Sequence, residues 1–369
     1  MSIDARQARR GEELDVEKLT EFLTRHFDGV VDNVQILQFP AGSSNLTYLI
    51  GFGGAEYILR RPPFGNTVKS AHDMGREFKV LSKLSIVYPP APKPILFCDD
   101  ELVVGSEFYL MERRSGLIIR GKVPAAEART SIRAKYRSGS ARTLETSHDL
   151  RLNVCKNFVQ NLADLHALDY EAAGLGDLGK PDGYVQRQVH GWTKRYFAAK
   201  TDEWPELEYA ISWLNENIPA DSGASLVHND YKFDNVMLDP SDLTKITAVL
   251  DWEMVTIGDP LMDLGTTLGY WMSRDAGDEM LNMPFNPRVL MENISRHDLT
   301  EMYADASGRD ISNILYYYVF GTFKIAVICQ QIYWRFVRGV TTDARFANFD
   351  KFVGTLGKLA WRAVENKSI

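Results

Sequence analysis

The chain has 369 residues, 45% of them hydrophobic and 25% charged, and a formal net charge of −7. That length suits one large core or two lobes, and the composition is that of a soluble enzyme rather than of a disordered or membrane-embedded chain. The acidic balance excludes the whole-surface electrostatic footprint of a nucleic-acid binder. Cys98, Cys155 and Cys329 stand far apart with no C-x-x-C pair, which excludes a disulfide framework or zinc ribbon and predicts a reducing, cytoplasmic setting.

The first fifteen residues mix Arg6, Arg9 and Arg10 with Glu12 and Glu13 and have no apolar run, so they do not read as a signal peptide. Leu14, Leu19, Phe22, Leu23 and Phe27 then recur at helical spacing. Strands follow at Val34–Phe39, Leu46–Ile50 and Glu56–Arg60, the first two separated by a loop of small, donor-rich residues. Pro62 and Pro63 stop the third strand, and Met74–Leu84 returns to helical spacing. After the Pro89–Pro94 loop, Ile95–Cys98 and Phe108–Met111 read as two more strands.

Beyond that point the pattern turns helical: Leu152–Leu168, Gly191–Ala199, Leu207–Asn217, Leu261–Trp271 and Ile311–Phe336. The last of these is the most apolar stretch, but Lys324 and Arg335 interrupt it, and no uncharged run reaches the roughly 18 residues of a membrane span. It reads as a buried helix. Strands followed by helices predict an α+β fold in two lobes, a sheet-rich lobe over 1–112 and a larger helical lobe over 113–369.

The strongest chemical signal is the stretch Leu226–Leu238, in which His228, Asp230 and Asn235 fall in the pattern H-x-D-x-x-x-x-N, the spacing of a kinase catalytic loop. Phosphoryl transfer needs a carboxylate to take the proton of the attacking hydroxyl and, a few residues on, an amide oxygen to hold a cation. The apolar strand Ile246–Leu250 then delivers Asp251-Trp252-Glu253, where a carboxylate can hold the same metal. An ordinary turn with capping Asp and Asn does not explain the ordered pair of motifs.

With Val249–Glu253 and Gly258–Leu264, these motifs make the chain similar to the aminoglycoside phosphotransferase and choline kinase superfamily, whose fold is bilobal and protein-kinase-like. The resemblance covers nearly the whole length and points to the branch related to the kinase-like part of acyl-CoA dehydrogenase fusion proteins. It implies Asp230 as the catalytic aspartate, Lys232 as a phosphate contact, Asn235 and Asp251 as Mg2+ ligands, and ATP or GTP as co-substrate. Arg60 stands where kinases have their strand lysine, a departure that keeps a positive charge and adds a fork of donors. Strand alternation favours Arg60 over Arg61, and Glu77 in the next helix is its expected ion-pair partner.

The loop Gly42-Ser43-Ser44-Asn45 is placed over the phosphates, with one glycine where protein kinases have three, so a simple hairpin loop stays open as a reading. Glu112 closes the strand that resembles the hinge meeting the base. Asp259 and Asp263 resemble residues that brace the catalytic loop and start a helix. Gly174–Gly179 matches G-x-G-x-x-G but neither follows a strand nor opens a helix, so it does not read as a dinucleotide motif. His166 reads as a packed histidine, and Trp192, Tyr196, Trp213, Tyr270, Trp271 and Trp334 as core residues or the lining of an acceptor pocket.

Between Arg113 and Arg142 nine basic residues, Arg133, Lys135 and Arg137 among them, face the single acid Glu127. A solvated loop and a landing surface for an anionic acceptor are both consistent with that run. The expected function is transfer of a γ-phosphoryl group to the hydroxyl of a small molecule. A hydroxyacyl-CoA is the preferred acceptor, with aminoglycoside or choline-like acceptors, or a nucleotide-binding regulator without turnover, as alternatives. The absence of an activation segment after Asp251 disfavours a protein substrate. The sequence implies no nucleic-acid or membrane partner and leaves the oligomeric state open.

Overall fold

In a computed structural model of the chain, the described residues are 5–40, 45–64, 73–119, 147–272, 274–281, 287–291, 293–341 and 343–369. They form two compact units, Met1–Ser115 with Ala248–Glu253, and Gly116–Thr247 with Met254–Ile369. The loop residues Gly42, Ser43 and Ser44 and the basic stretch from Arg120 to Arg142 lie outside the described residues.

The first unit is built on a five-stranded antiparallel sheet: β1 (Gln35–Gln38), β2 (Leu46–Phe52), β3 (Ala55–Arg61), β4 (Pro94–Cys98) and β5 (Phe108–Glu112), in the order β1-β2-β3-β5-β4. Helix α1 (Val16–His26), capped by Asp15, buries Leu19 and Leu23 with Tyr48, Ile50, Leu59, Phe108 and Leu110. Helix α2 (Met74–Val87), capped by Asp73, buries Val80, Leu81 and Leu84 and packs on β4 and β5. A single helical turn, α3 (Glu101–Val104), completes the α1 side.

The two arginines at the end of β3 are held on different sides of the sheet. Arg60 lies opposite Thr47 and Tyr109 in the centre of the sheet, and its side chain meets Glu77 of α2. Arg61 donates to the Val104 and Pro62 carbonyls and stacks on Phe64, 3.5 Å from the ring centre. Successive residues of a strand point to opposite faces, and the two guanidinium groups have separate partners accordingly.

In the second unit, the long helices are α4 (His148–His166), α5 (Tyr184–Ala199), α6 (Pro205–Glu216), α7 (Pro260–Tyr270), α8 (Arg296–Ser307), α9 (Ile314–Val337) and α10 (Phe349–Asn366). The sequence-based elements contain no counterpart of α8 or α10. A capping box of Ser295 and Asp298 and the left-handed Gly308 that ends α8 were the available signals for the first. The strands β6 (Ser225–Val227), β7 (Val236–Leu238) and β9 (Thr256–Gly258) have three residues each, too few for a period to show. β6 pairs with β9, and β7 with β8 (Ile246–Val249).

Helices α7 and α9 are in backbone contact. A Cβ on Gly265 or Gly321 would collide with the main chain of the other helix, which explains small residues at the crossing. The approach lets side chains of α7 and α9 reach the loop between β6 and β7. Among the described residues no helix is long and apolar enough to cross a membrane; α9, 24 residues long, is the buried helix expected from its charges. Gly174–Gly179 contains a 3-10 turn, and Gly179 sits where a Cβ would strike Thr256 and Ile257, a packing reason for that glycine.

Candidate active site

The loop from His228 to Asn235 is held from beneath by Asp263 of α7. This carboxylate is fully buried and accepts from His228 N at 2.6 Å and Asn229 N at 2.7 Å, with His166 Nε2 at 3.2 Å. Burial works against its charge, but the bonds from His166 and from the His228 backbone hold its pKa below the ordinary value. His166 is held in turn by the Tyr303 hydroxyl at 2.7 Å. Asp259 caps α7 through Leu261 N and accepts from Ser222 and Tyr317, a structural position.

Asn229 takes a left-handed backbone with φ of +66°, a conformation that Asn tolerates better than most residues. The turn aims Asp230 at three donors. Lys232 Nζ lies 2.9 Å and 2.7 Å from the two carboxylate oxygens, Asn235 Nδ2 lies 2.8 Å from Oδ2, and the Tyr270 hydroxyl donates to Oδ1 at 2.9 Å. Lys232 also sits 4.6 Å from the centre of the Tyr270 ring. Burial opposes the Lys232 ammonium, yet the Asp230 carboxylate keeps its pKa above the ordinary value. Because the Asn235 amide nitrogen donates to both the Asp230 carbonyl and carboxylate, its oxygen is the atom left to meet a cation.

The scaffold under this loop is aromatic. Phe158 of α4 stacks on Phe233 at 4.0 Å, and its carbonyl accepts from Tyr231 at 2.8 Å, while Thr267 of α7 donates to the Tyr231 carbonyl. Tyr270 touches the predicted base itself. As an aromatic in a helix it was indistinguishable from the core residues around it, and position alone reveals its hydroxyl.

In the first unit, Arg60, Glu77, Asp251 and Glu253 come together. Arg60 Nη2 bonds Asp251 Oδ1 at 3.0 Å; Glu77 Oε1 lies 3.5 Å from Nη1 and Glu253 Oε2 lies 3.8 Å from Nη2. Burial opposes the Arg60 charge, but Glu77 and the other acids raise its pKa well above the usual arginine value. For Glu77, burial pushes the pKa up against the pull of Arg60. Asn45 Nδ2 donates to Glu253 Oε2 at 2.8 Å, and Arg76 Nη1 to the Glu253 carbonyl at 3.2 Å.

Asp251 itself has φ of +67°, strain of the kind that persists where surroundings over-determine it. Trp252, 1% exposed, pins the turn by donating to the Val249 carbonyl at 2.9 Å and meeting Tyr88 edge-on. Asp251 and Glu253, on the same side of Arg60, offer hard carboxylate oxygens of the kind Mg2+ takes. Among the described residues no group of three or more His, Cys, Asp and Glu is placed to hold a metal ion by itself. Glu112 closes β5, where its carboxylate accepts from Lys93 N at 2.7 Å and pairs with Arg114.

Comparison with known proteins agrees with these motifs. Residues 35–285 match the phosphotransferase enzyme family. The chain is 34% identical over 338 residues to acyl-CoA dehydrogenase family member 11 of Homo sapiens, covering 88% of this chain and 40% of that protein. It is 31% identical over 339 residues to family member 10 of Mus musculus, covering 89% of this chain and 29% of that protein. It thus spans well under half the length of these two curated relatives.

Among solved structures, a Ralstonia eutropha JMP134 protein classed with the aminoglycoside phosphotransferases superposes with a TM-score of 0.76 at 28% identity, over 96% of this chain and 99% of that one. Choline kinase from Cryptosporidium parvum Iowa II shares the fold, with a TM-score of 0.60 at 11% identity over 95% and 96% of the two chains. The chain therefore belongs to the phosphotransferase enzyme family and has the kinase-like α+β fold.

Proposed function

We propose that this protein transfers the γ-phosphoryl group of Mg-ATP or Mg-GTP to a hydroxyl of an anionic small molecule of the hydroxyacyl-CoA kind, in the cytoplasm. The observation that carries the transfer is the Asp230 carboxylate, fixed by Lys232, Asn235 and Tyr270. Asp230 takes the proton of the acceptor hydroxyl as the oxygen attacks phosphorus, and a substrate hydroxyl would share its oxygens with those donors. Lys232, beside the base, supplies positive charge for the phosphoryl oxygens as the bond to the leaving nucleotide breaks. Arg60 is the nucleotide-side cation, kept in place by Glu77, with Asn45 and the Gly42-Ser43-Ser44 loop as further phosphate donors and the strand ending in Glu112 as the base-binding edge. Asn235 and Asp251 would hold Mg2+, which when bound neutralises charge on the transferred group.

Two considerations support the acceptor class. The curated relatives just described carry acyl-CoA dehydrogenase names, and phosphorylating a hydroxyl would convert it into a leaving group. The nine basic residues between Arg113 and Arg142 also suit the phosphates of coenzyme A better than a polycationic antibiotic.

The decisive experiment is phosphoryl transfer from labelled nucleotide, with and without divalent cation, to a panel of hydroxyacyl-CoAs, choline and aminoglycosides. Turnover is expected only with the cation and most efficiently with a hydroxyacyl-CoA; efficient turnover of an aminoglycoside alone would refute the acceptor class. Asp230→Asn should lower kcat about a hundredfold or more with nucleotide affinity near normal. Unchanged turnover in that variant would remove Asp230 from the role of base.

A further inference from the structure

Lys324 of α9 is a buried ammonium that the chemistry above does not use. It is 2% exposed, and among the described residues no carboxylate lies within ion-pair distance of it. Its Nζ donates to the carbonyl of Asn229 at 2.6 Å, one residue before Asp230, and lies 5.6 Å from the Trp192 ring centre. A lysine is a costly way to fill an apolar helix crossing, because an ammonium loses much of its hydration there.

The partner carbonyl belongs to the left-handed residue of the loop, and every polar group of that residue is held. Its amide donates to Asp263, its side-chain oxygen accepts from Tyr184 at 3.2 Å, its side-chain nitrogen donates to the Met254 carbonyl at 3.1 Å, and its carbonyl accepts from Lys324. Three of these anchors are neutral or fixed in charge across the working range, whereas the fourth carries a removable proton. Charge-assisted hydrogen bonds are roughly twice as strong as neutral ones, so deprotonation would loosen this anchor in particular.

We propose that Lys324 is a positioning residue for Asp230: its ammonium holds the Asn229 carbonyl and so fixes the left-handed turn that aims the carboxylate, and the hold weakens when the proton leaves. The inference rests on Asp230 being the base. The charged groups that face Lys324 are Asp263 on α7, Asp230 and Lys232 in the loop and Arg195 on α5, with His166 and His228 next to Asp263. Burial is the largest influence and lowers the Lys324 pKa; Asp263 and Asp230 draw it up, Lys232 and Arg195 push it down, and the outcome is about 8. The change of charge therefore falls inside the range in which an enzyme can be assayed.

The consequence is an alkaline fall in kcat that belongs to Lys324. A lysine whose pKa folding lowers is a cost to the fold that is full below about 8 and relieved progressively from there up to the ordinary lysine value of 10.5, so a structural role and a positioning role predict different stabilities. Lys324→Met should melt no lower than the parent at neutral pH. Its kcat should nevertheless be about tenfold lower, independent of pH between 7 and 9.5, with KM for the nucleotide within about twofold.

The parent alone gives a second reading that does not depend on the variant folding. In protein labelled at lysine Cε and at backbone nitrogen, the resonance of Lys324 should titrate near 8, and the amide signals of Asn229 and Asp230 should follow the same curve. Titration of Lys324 near the ordinary lysine value, or loop amides that stay still while it titrates, would overturn the proposal, as would an alkaline limb unchanged in Lys324→Met. A parent with no turnover at any pH would instead defeat the assignment of Asp230 as base, and the amide signals would still decide whether Lys324 positions the loop.

Discussion

The loop from His228 to Asn235 and the arginine cluster treat buried charge in opposite ways. In the loop, Asp263 receives two backbone amides and His166, and Asp230 receives Lys232, Asn235 and Tyr270. Around Arg60, its Nη2 bonds Asp251 at 3.0 Å, while Glu77 and Glu253 approach to 3.5 and 3.8 Å, ion-pair distances longer than most of the bonds in the loop. Short, closely aligned hydrogen bonds fix one geometry, whereas longer ion-pair contacts hold charges together with less directional constraint. The loop is thus held by directed hydrogen bonds, and the cluster chiefly by charge, which suits the proposed division between a base and a phosphate and cation site.

If that contrast is right, removing the central acid from each region should damage different properties. The largest effect is expected for Asp263→Ala, which leaves the His228 and Asn229 amides buried without their acceptor. It should cost about 3–5 kcal/mol, the range for breaking a buried charge network, and be read as a lower midpoint in denaturant together with loss of turnover. A midpoint close to the parent's would mean that the loop is held chiefly by Lys324, Tyr184 and the Phe158–Phe233 stack.

Asp251→Ala should behave in the reverse way. Its side chain is 32% exposed, and Glu77 and Glu253 still face Arg60 without it, so the loss of stability should be smaller than for Asp263→Ala. Magnesium-dependent nucleotide binding should vanish, while Glu253→Ala weakens it to a lesser degree. A fluorescent nucleotide titrated with and without magnesium separates these cases, and undiminished binding of the magnesium complex by Asp251→Ala would move the metal ligand elsewhere.

The smallest expected change is that of Glu77→Gln, which keeps shape and removes a charge that burial already disfavours. Stability should hold, and nucleotide affinity should fall by no more than about tenfold, since Asp251 still meets Arg60. The same titration reads it. An unaltered affinity would show that Asp251 alone keeps Arg60 in place.

The linear chain already contained the reaction class. Asp230, Asn235 and Asp251 are set by spacing along two short segments, and strand alternation separated Arg60 from Arg61, because motifs and period-two patterns are local properties that survive without a fold. The helices over Ile314–Val337 and Pro260–Tyr270 were legible for the same reason. The three-residue strands were not, since pairing between distant segments, and not local pattern, makes them strands.

What only the tertiary structure decided is which ordinary residues hold the loop that carries Asp230. Tyr270, Lys324 and Asp263 lie 34 to 95 positions from their loop partners. In sequence they are an aromatic, a charge interrupting an apolar helix, and an acid near a helix start. They converge because Gly265 and Gly321 let α7 and α9 approach to backbone contact, so that side chains from both helices reach the loop. Burial then changes what they are: the same lysine that would stay charged in water to high pH is brought to about 8, because the packed interior disfavours the ammonium.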